Sequence, residues 1–187
     1  GVAVDASFDE SNSTLHCASV PRATARAGAL EISLNAQQYT SSAVNFTWYE
    51  PPRVRLVTPA AGPTGGNTTV RLYGYGLDSG LDYYRCRFGE SVVPASLEME
   101  GGHPTLLCVS PAHAAANVSL EVALNSQQYT ATGVNFTWYA PPTVRLITPA
   151  SGPVTGNTTV RLYGENLDAG LDYYRCRFGE SVVPASL

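Results

Sequence analysis

Apolar and polar residues alternate with a period of two through several short stretches of this chain, and that is the pattern of strands buried on one face. Val54 and Leu56 alternate with Arg53 and Arg55, and Val70 and Leu72 alternate with Thr69, Arg71 and Tyr73. Tyr84, Cys86 and Phe88 face inward if Tyr83, Arg85 and Arg87 face outward. Val118, Leu120, Val122 and Leu124 oppose Ser119, Glu121 and Ala123, while Val134, Phe136 and Trp138 oppose Asn135, Thr137 and Tyr139. The breaks fall at Gly62-Pro63, Gly65-Gly66-Asn67 and Gly101-Gly102, where glycine and proline favour turns. No segment keeps a helical period. The pattern predicts an all-β sandwich of two packed sheets.

The same pattern returns ninety residues later. Pro51 to Leu97 reappears as Pro141 to Leu187 with 39 of 47 positions identical, and Leu30 to Tyr49 returns as Leu120 to Tyr139. A fixed long period is the mark of tandem repeats, and function has to be read from the repeat. Each unit opens after an aromatic run and a double proline, Trp48-Tyr49-Glu50-Pro51-Pro52 and Trp138-Tyr139-Ala140-Pro141-Pro142. The domains expected are therefore 1–50, the back half of a unit; 51–140, a complete unit; and 141–187, a front half. The paired prolines read as stiff hinges.

Composition narrows the class. The apolar share of 44% is ordinary for a folded chain, and no apolar run approaches the length of a membrane span. No charged-then-apolar leader opens the sequence, so any signal or anchor is expected outside it. A net charge of -4 leaves no cationic footprint for nucleic acid, although all 11 cationic side chains are Arg.

The order of motifs in the unit is specific. Pro52-x-Val54-x-x-Val57-x-Pro59 is followed by Gly62-Pro63-x-Gly65-Gly66-Asn67-Thr68-x-Val70, Leu72-x-Gly74-x-x-Leu77, Phe88-Gly89 and Leu107-Cys108-x-x-Pro111. This series resembles the IPT/TIG domain, the immunoglobulin-like fold shared by plexins and some transcription factors. The second copy repeats it at Pro149, Gly152-Pro153, Gly156-Asn157-Thr158, Gly164 and Phe178-Gly179. The first 29 residues carry little of it beyond Leu15 and Cys17; Gln37-Gln38-Tyr39 and Asn45-Phe46-Thr47-Trp48 place that half unit. The resemblance implies an immunoglobulin-like sandwich, in a family that serves receptor ectodomains, DNA-binding factors and starch-degrading enzymes alike, so the fold alone does not choose a function.

Cysteines and asparagines carry more weight. Cys86 and Cys108 stand on different strands, both on the inward register, which suits an intradomain disulfide worth about 3 kcal/mol by loop-closure entropy. Buried free thiols are the alternative; zinc is disfavoured by the lack of close Cys-x-x-Cys spacing. Cys17 corresponds to Cys108 and Cys176 to Cys86, so each of these lacks its partner and is expected to pair between units. Six of nine asparagines lie in Asn-x-Ser/Thr sequons, namely Asn12, Asn45, Asn67, Asn117, Asn135 and Asn157, where chance would place fewer than two. Asn45, Asn117 and Asn135 fall on the polar register, and Asn67 and Asn157 lie at a Gly-rich turn, where Asn-Thr-Thr is also good turn chemistry. Disulfide spacing and sequons together point to an oxidising, extracellular compartment and to covalent N-glycans.

Catalysis finds no support, because His16, His103 and His113 do not recur with the repeat and no nucleophile-base pair is legible. The carboxylates Asp78 with Asp82 and Asp168 with Asp172 are too few for a calcium loop and read as solvated turns. No cofactor or metal is expected. Two classes remain: a glycan-coated structural rod or fibre, and a receptor or adhesin ectodomain with a protein or carbohydrate ligand. Near-identity of the copies, outward Arg85 and Arg87 included, favours the rod. Its half units are then completed either by continuation of one tandem chain or by another copy, head to tail, in a non-closing contact that builds a filament. In the second case a strand is duplicated, because Val2 to Phe8 aligns with Ser181 to Leu187.

Overall fold

A computed structural model describes residues 2–81, 83–170 and 174–187. The chain separates into two compact units, Gly1–Glu50 and Pro51–Leu187, with the division at the first double proline.

In the first unit the strands are short. β1 (Ala6–Asp9) pairs antiparallel with β2 (Thr14–Cys17), and β3 (Arg26–Ala29) pairs antiparallel with β4 (Asn45–Trp48). Trp48 ties the β3–β4 hairpin down, donating from its indole Nε1 to the carbonyl of Val20 at 2.9 Å and meeting Phe46 edge-on at 4.8 Å.

The second unit contains the complete repeat. Its strands are β5 (Arg53–Thr58), β6 (Ala61–Pro63), β7 (Thr69–Tyr75), β8 (Arg85–Phe88), β9 (Ser91–Glu100), β10 (His103–Val109), β11 (Ala116–Ala123) and β12 (Asn135–Tyr139). They are ordered β5-β7-β10-β9-β8-β11-β12-β6. β9 belongs to both layers of the sandwich: Ser91 to Pro94 pair with β8, and Ala95 to Glu100 pair with β10. β5 and β6 end the order on opposite sides, joined through the cis Thr58–Pro59 peptide, and β6 runs parallel to β12. Valines, threonines and aromatics fill these strands because branched and ring side chains pack well on a pleated, half-buried surface.

The core lies between the layers. Val54, Val57, Val70, Leu72 and Leu106 on one side meet Phe88, Leu120, Val122, Phe136 and Trp138 on the other, all buried. Phe88, Phe136 and Trp138 form one aromatic cluster with centroids 5.0 to 5.6 Å apart. Cys86 on β8 and Cys108 on β10 are joined by a disulfide across the layers, with Cα atoms 6.4 Å apart.

Three residues depart from simple alternation. Leu56, expected inward beside Val54, is 56% exposed, because the β5–β7 register slips between Val54 and Leu56. Arg55 is the extra residue of a β-bulge, so the inward positions are Val54 and Val57. Glu121 and Ala123, expected outward, are buried because the chain returns alongside β11: Thr130 N–H donates to the Val122 carbonyl at 2.9 Å, and the Thr130 hydroxyl donates to Glu121 at 2.5 Å.

The rest of this unit is β13 (Thr143–Thr148) paired with β14 (Arg161–Glu165), and β15 (Arg175–Phe178) paired with β16 (Ser181–Pro184). The same residues that the complete repeat buries lie open here. Val54 is 4% exposed and Val144 51%; Leu72 is 0% exposed and Leu162 37%; Phe88 is 1% exposed and Phe178 55%. These side chains line a groove of about 1100 Å³ with Val183 and Leu187. The strands form on local pattern; the burial needs a second layer.

Candidate functional site

All six sequon asparagines are exposed. Two of them are brought together: Asn117 stands directly across from Thr137, and Asn135 directly across from Ser119. Each sequon thus faces the hydroxyl residue of the other, and Asn117 Nδ2 donates to Thr137 Oγ1 at 2.8 Å. Asn67 and Asn157 occupy matching left-handed turns at φ 62° and 61°, a region that Asn enters more readily than most residues. Asn45 lies on β4, and the Asn12 side-chain oxygen accepts from the Thr14 hydroxyl. Cys17 and Cys176 are free thiols, the first exposed and the second half-buried.

His113 has a packing role, its ring stacked on Trp138 at 4.5 Å. Asp82 and Asp172 lie outside the described residues; among those described, no group of three or more His, Cys, Asp or Glu is arranged to hold a metal.

Sequence reasoning missed the surface with the most chemistry, the outer face of β5 and β7. The bulge at Arg55 turns Leu56 outward next to Tyr73, while Arg53 stands opposite Tyr75. Arg55 donates to the Tyr75 hydroxyl at 2.7 Å and lies 5.4 Å from the centre of its ring, a cation-π contact. Tyr73 donates to Glu100 at 2.8 Å, and Arg71 approaches the same carboxylate at 3.9 Å. The bond to Glu100 and that carboxylate's charge hold the Tyr73 phenol above its ordinary pKa, with Arg71 opposing. Gly74 allows the strands to close, since a Cβ there would run into the Arg53 carbonyl. Arg and Tyr are residues that protein interfaces favour, and the exposed Leu56 beside them adds apolar contact area. The alternation of Val54 and Leu56 alone does not show the bulge, but the run Arg53-Val54-Arg55-Leu56-Val57 holds a signal: two adjacent apolar residues where strict alternation allows one.

Comparison with known proteins agrees with this architecture. The IPT/TIG domain model matches residues 52–138 and 142–186. The chain is 28% identical over 140 residues to Plexin-B2 of Mus musculus and 30% identical over 129 residues to Plexin-A4 of Danio rerio. These alignments take in 74% and 64% of the chain but only 7% of either relative. The full extracellular region of Plexin A4 superposes with a TM-score of 0.49 at 19% identity, covering 83% of this chain and 13% of that one.

Proposed function

The chain belongs to the IPT/TIG domain family, and from that membership we propose that it works as a segment of a receptor-type ectodomain, an N-glycosylated tandem array that spaces and presents binding surfaces at the cell surface. IPT/TIG domains of plexins are non-enzymatic parts of receptor ectodomains, and this chain is not an enzyme. The observation that carries the reading is the conjunction, in one IPT/TIG unit with plexin relatives, of a buried Cys86–Cys108 bridge and sequon asparagines that all reach solvent. Both features belong to an oxidising compartment. The rod expected from near-identity of the copies yields to the receptor reading, because the relatives are receptors and because the copies differ on the β5–β7 face.

The partner that the open face of 141–187 fits is a back half of the same repeat. Its buried counterparts in the complete unit name the positions to be covered: Val144, Leu162 and Phe178. Continuation of a tandem chain and a second copy supply that half equally well, and Cys176 then finds the equivalent of Cys108. Reducing against non-reducing electrophoresis separates the two sources.

Expression through a secretory pathway, followed by enzymatic deglycosylation and peptide mapping, tests the main reading. Asn-to-Asp conversion is expected at Asn45, Asn67, Asn117, Asn135 and Asn157, and at Asn12. Unmodified asparagine at most of these sites overturns the glycosylated reading.

A further inference from the structure

The two copies of the front half differ at 8 of 47 positions, and two of those positions are direct neighbours across strands. Arg53 faces Tyr75 in the complete unit; Thr143 faces Glu165 in the second copy. The pair has changed on both sides at once, from one cation with an aromatic ring to one carboxylate. The consequence reaches the bulge residue. Arg55 is splayed over the Tyr75 ring, whereas its counterpart Arg145 is paired with Glu165. The adjoining position differs too, Gly76 against Asn166, and Asn166 donates to the Pro141 carbonyl at 3.4 Å.

On the complete unit this produces a cationic and aromatic edge on an acidic chain. Arg53, Arg55 and Arg71 stand on β5 and β7 among Leu56 and Tyr75, 56% and 61% exposed. Glu98 and Glu100 bound the face from β9, and Glu100 is engaged by Tyr73 and Arg71. The sequons stand elsewhere: Asn117 and Asn135 are on β11 and β12, at the other side of the sheet order, and Asn67 precedes the start of β7, the end away from Tyr75. Charge and a bulge also guard an edge strand against unwanted pairing. That task is served by Glu165 as well as by Arg53, and it does not call for Tyr75 in solvent; the exposed leucine is common to both copies, Leu56 at 56% and Leu146 at 59%, so the copies are told apart by Arg53 and Tyr75.

We propose that the β5–β7 face of the complete unit, centred on Arg53, Arg55, Leu56 and Tyr75, docks a partner protein through a carboxylate-rich surface, and that the change to Thr143 and Glu165 removes this capacity from the second copy. The planar guanidinium forks match carboxylates, the exposed ring and Leu56 supply desolvated contact, and opposite charge sets the orientation of encounter. A single carboxylate placed beside Arg55 neutralises it and repels the same partner, which is how related surfaces separate their ligands. The proposal deepens the receptor reading, yet its test is independent of it, because binding is measured on purified chain whether or not glycans are mapped.

The experiment titrates the full chain against a fluorescent poly-glutamate peptide, with an uncharged poly-glutamine peptide as control, and maps the contact by amide chemical shifts. The test variant is Arg53→Thr with Tyr75→Glu, which installs the residues that the second copy carries on the same backbone and whose thermal midpoint is checked first. The expected result is shifts confined to β5 and β7 of the complete unit, weakening with added salt, and at least a tenfold loss of affinity in the double variant. Equal affinity of the variant, or shifts centred elsewhere, overturns the proposal. Binding of a sulfated polysaccharide while poly-glutamate stays silent overturns it in favour of a carbohydrate ligand. A dimer of the chain by sedimentation that dissolves in the variant overturns it in favour of a second copy.

Discussion

Replacing Trp138 by Ala tests the core most directly. The side chain is 1% exposed, stacks on His113 at 4.5 Å, meets Phe136 at 5.0 Å and Phe88 at 5.6 Å, and donates to the Pro111 carbonyl at 3.0 Å. Truncating a buried tryptophan costs about 3–5 kcal/mol, through lost transfer energy and the cavity left behind. The upper part of that range applies here, because the Pro111 carbonyl also loses its donor, a penalty of about 1–3 kcal/mol if water does not replace it. Trp138→Phe retains much of the ring and isolates that hydrogen-bond share. Trp48 provides an internal control: its indole makes the equivalent bond to Val20 at 2.9 Å and meets Phe46 at 4.8 Å, but it is only half-buried, so Trp48→Ala is expected to cost about half as much or less. Urea titration followed by far-ultraviolet circular dichroism, with hydrogen exchange read at the β11 and β12 amides for Trp138 and at the β3 and β4 amides for Trp48, gives both values. A loss under about 1 kcal/mol for Trp138→Ala, or equal losses for the two tryptophans, refutes the reasoning.

Two further outcomes follow from the same geometry. Replacing Cys86 and Cys108 together by Ala removes a bridge spanning 22 residues and is expected to cost about 3 kcal/mol; a thermal midpoint unchanged by the substitution or by reductant contradicts it. The Tyr73 phenol, raised by its bond to Glu100 and by that charge, is expected to ionise above the usual value of about 10. A raised folded pKa means that the stabilisation is present below the unfolded value and is lost as pH climbs through the folded one. A phenolate difference titration against Tyr73→Phe reads it, and Glu100→Gln is expected to lower it; no change on that substitution refutes the assignment.

Fold class, repeat and disulfide were legible in the sequence because each has a local signature. Period-two alternation makes Phe88, Phe136 and Trp138 inward whatever lies across from them, and Cys86 and Cys108 share that inward register. Exposure of the sequon asparagines followed from the complementary register and from the turn at Asn67. Three things depended on contacts distant in sequence. The Arg55 bulge arises from the pairing of β5 with β7 around Gly74, and it sends Leu56 to solvent against the pattern. Glu121 and Ala123 are covered because the chain returns at Thr130, which no periodicity within β11 records. The opposite charge of Arg53/Tyr75 and Thr143/Glu165 becomes a property of one surface only when register sets residues twenty-two apart side by side. Alternation is a property of one strand, whereas register and cover belong to pairs of segments, and only the folded chain holds those pairs together.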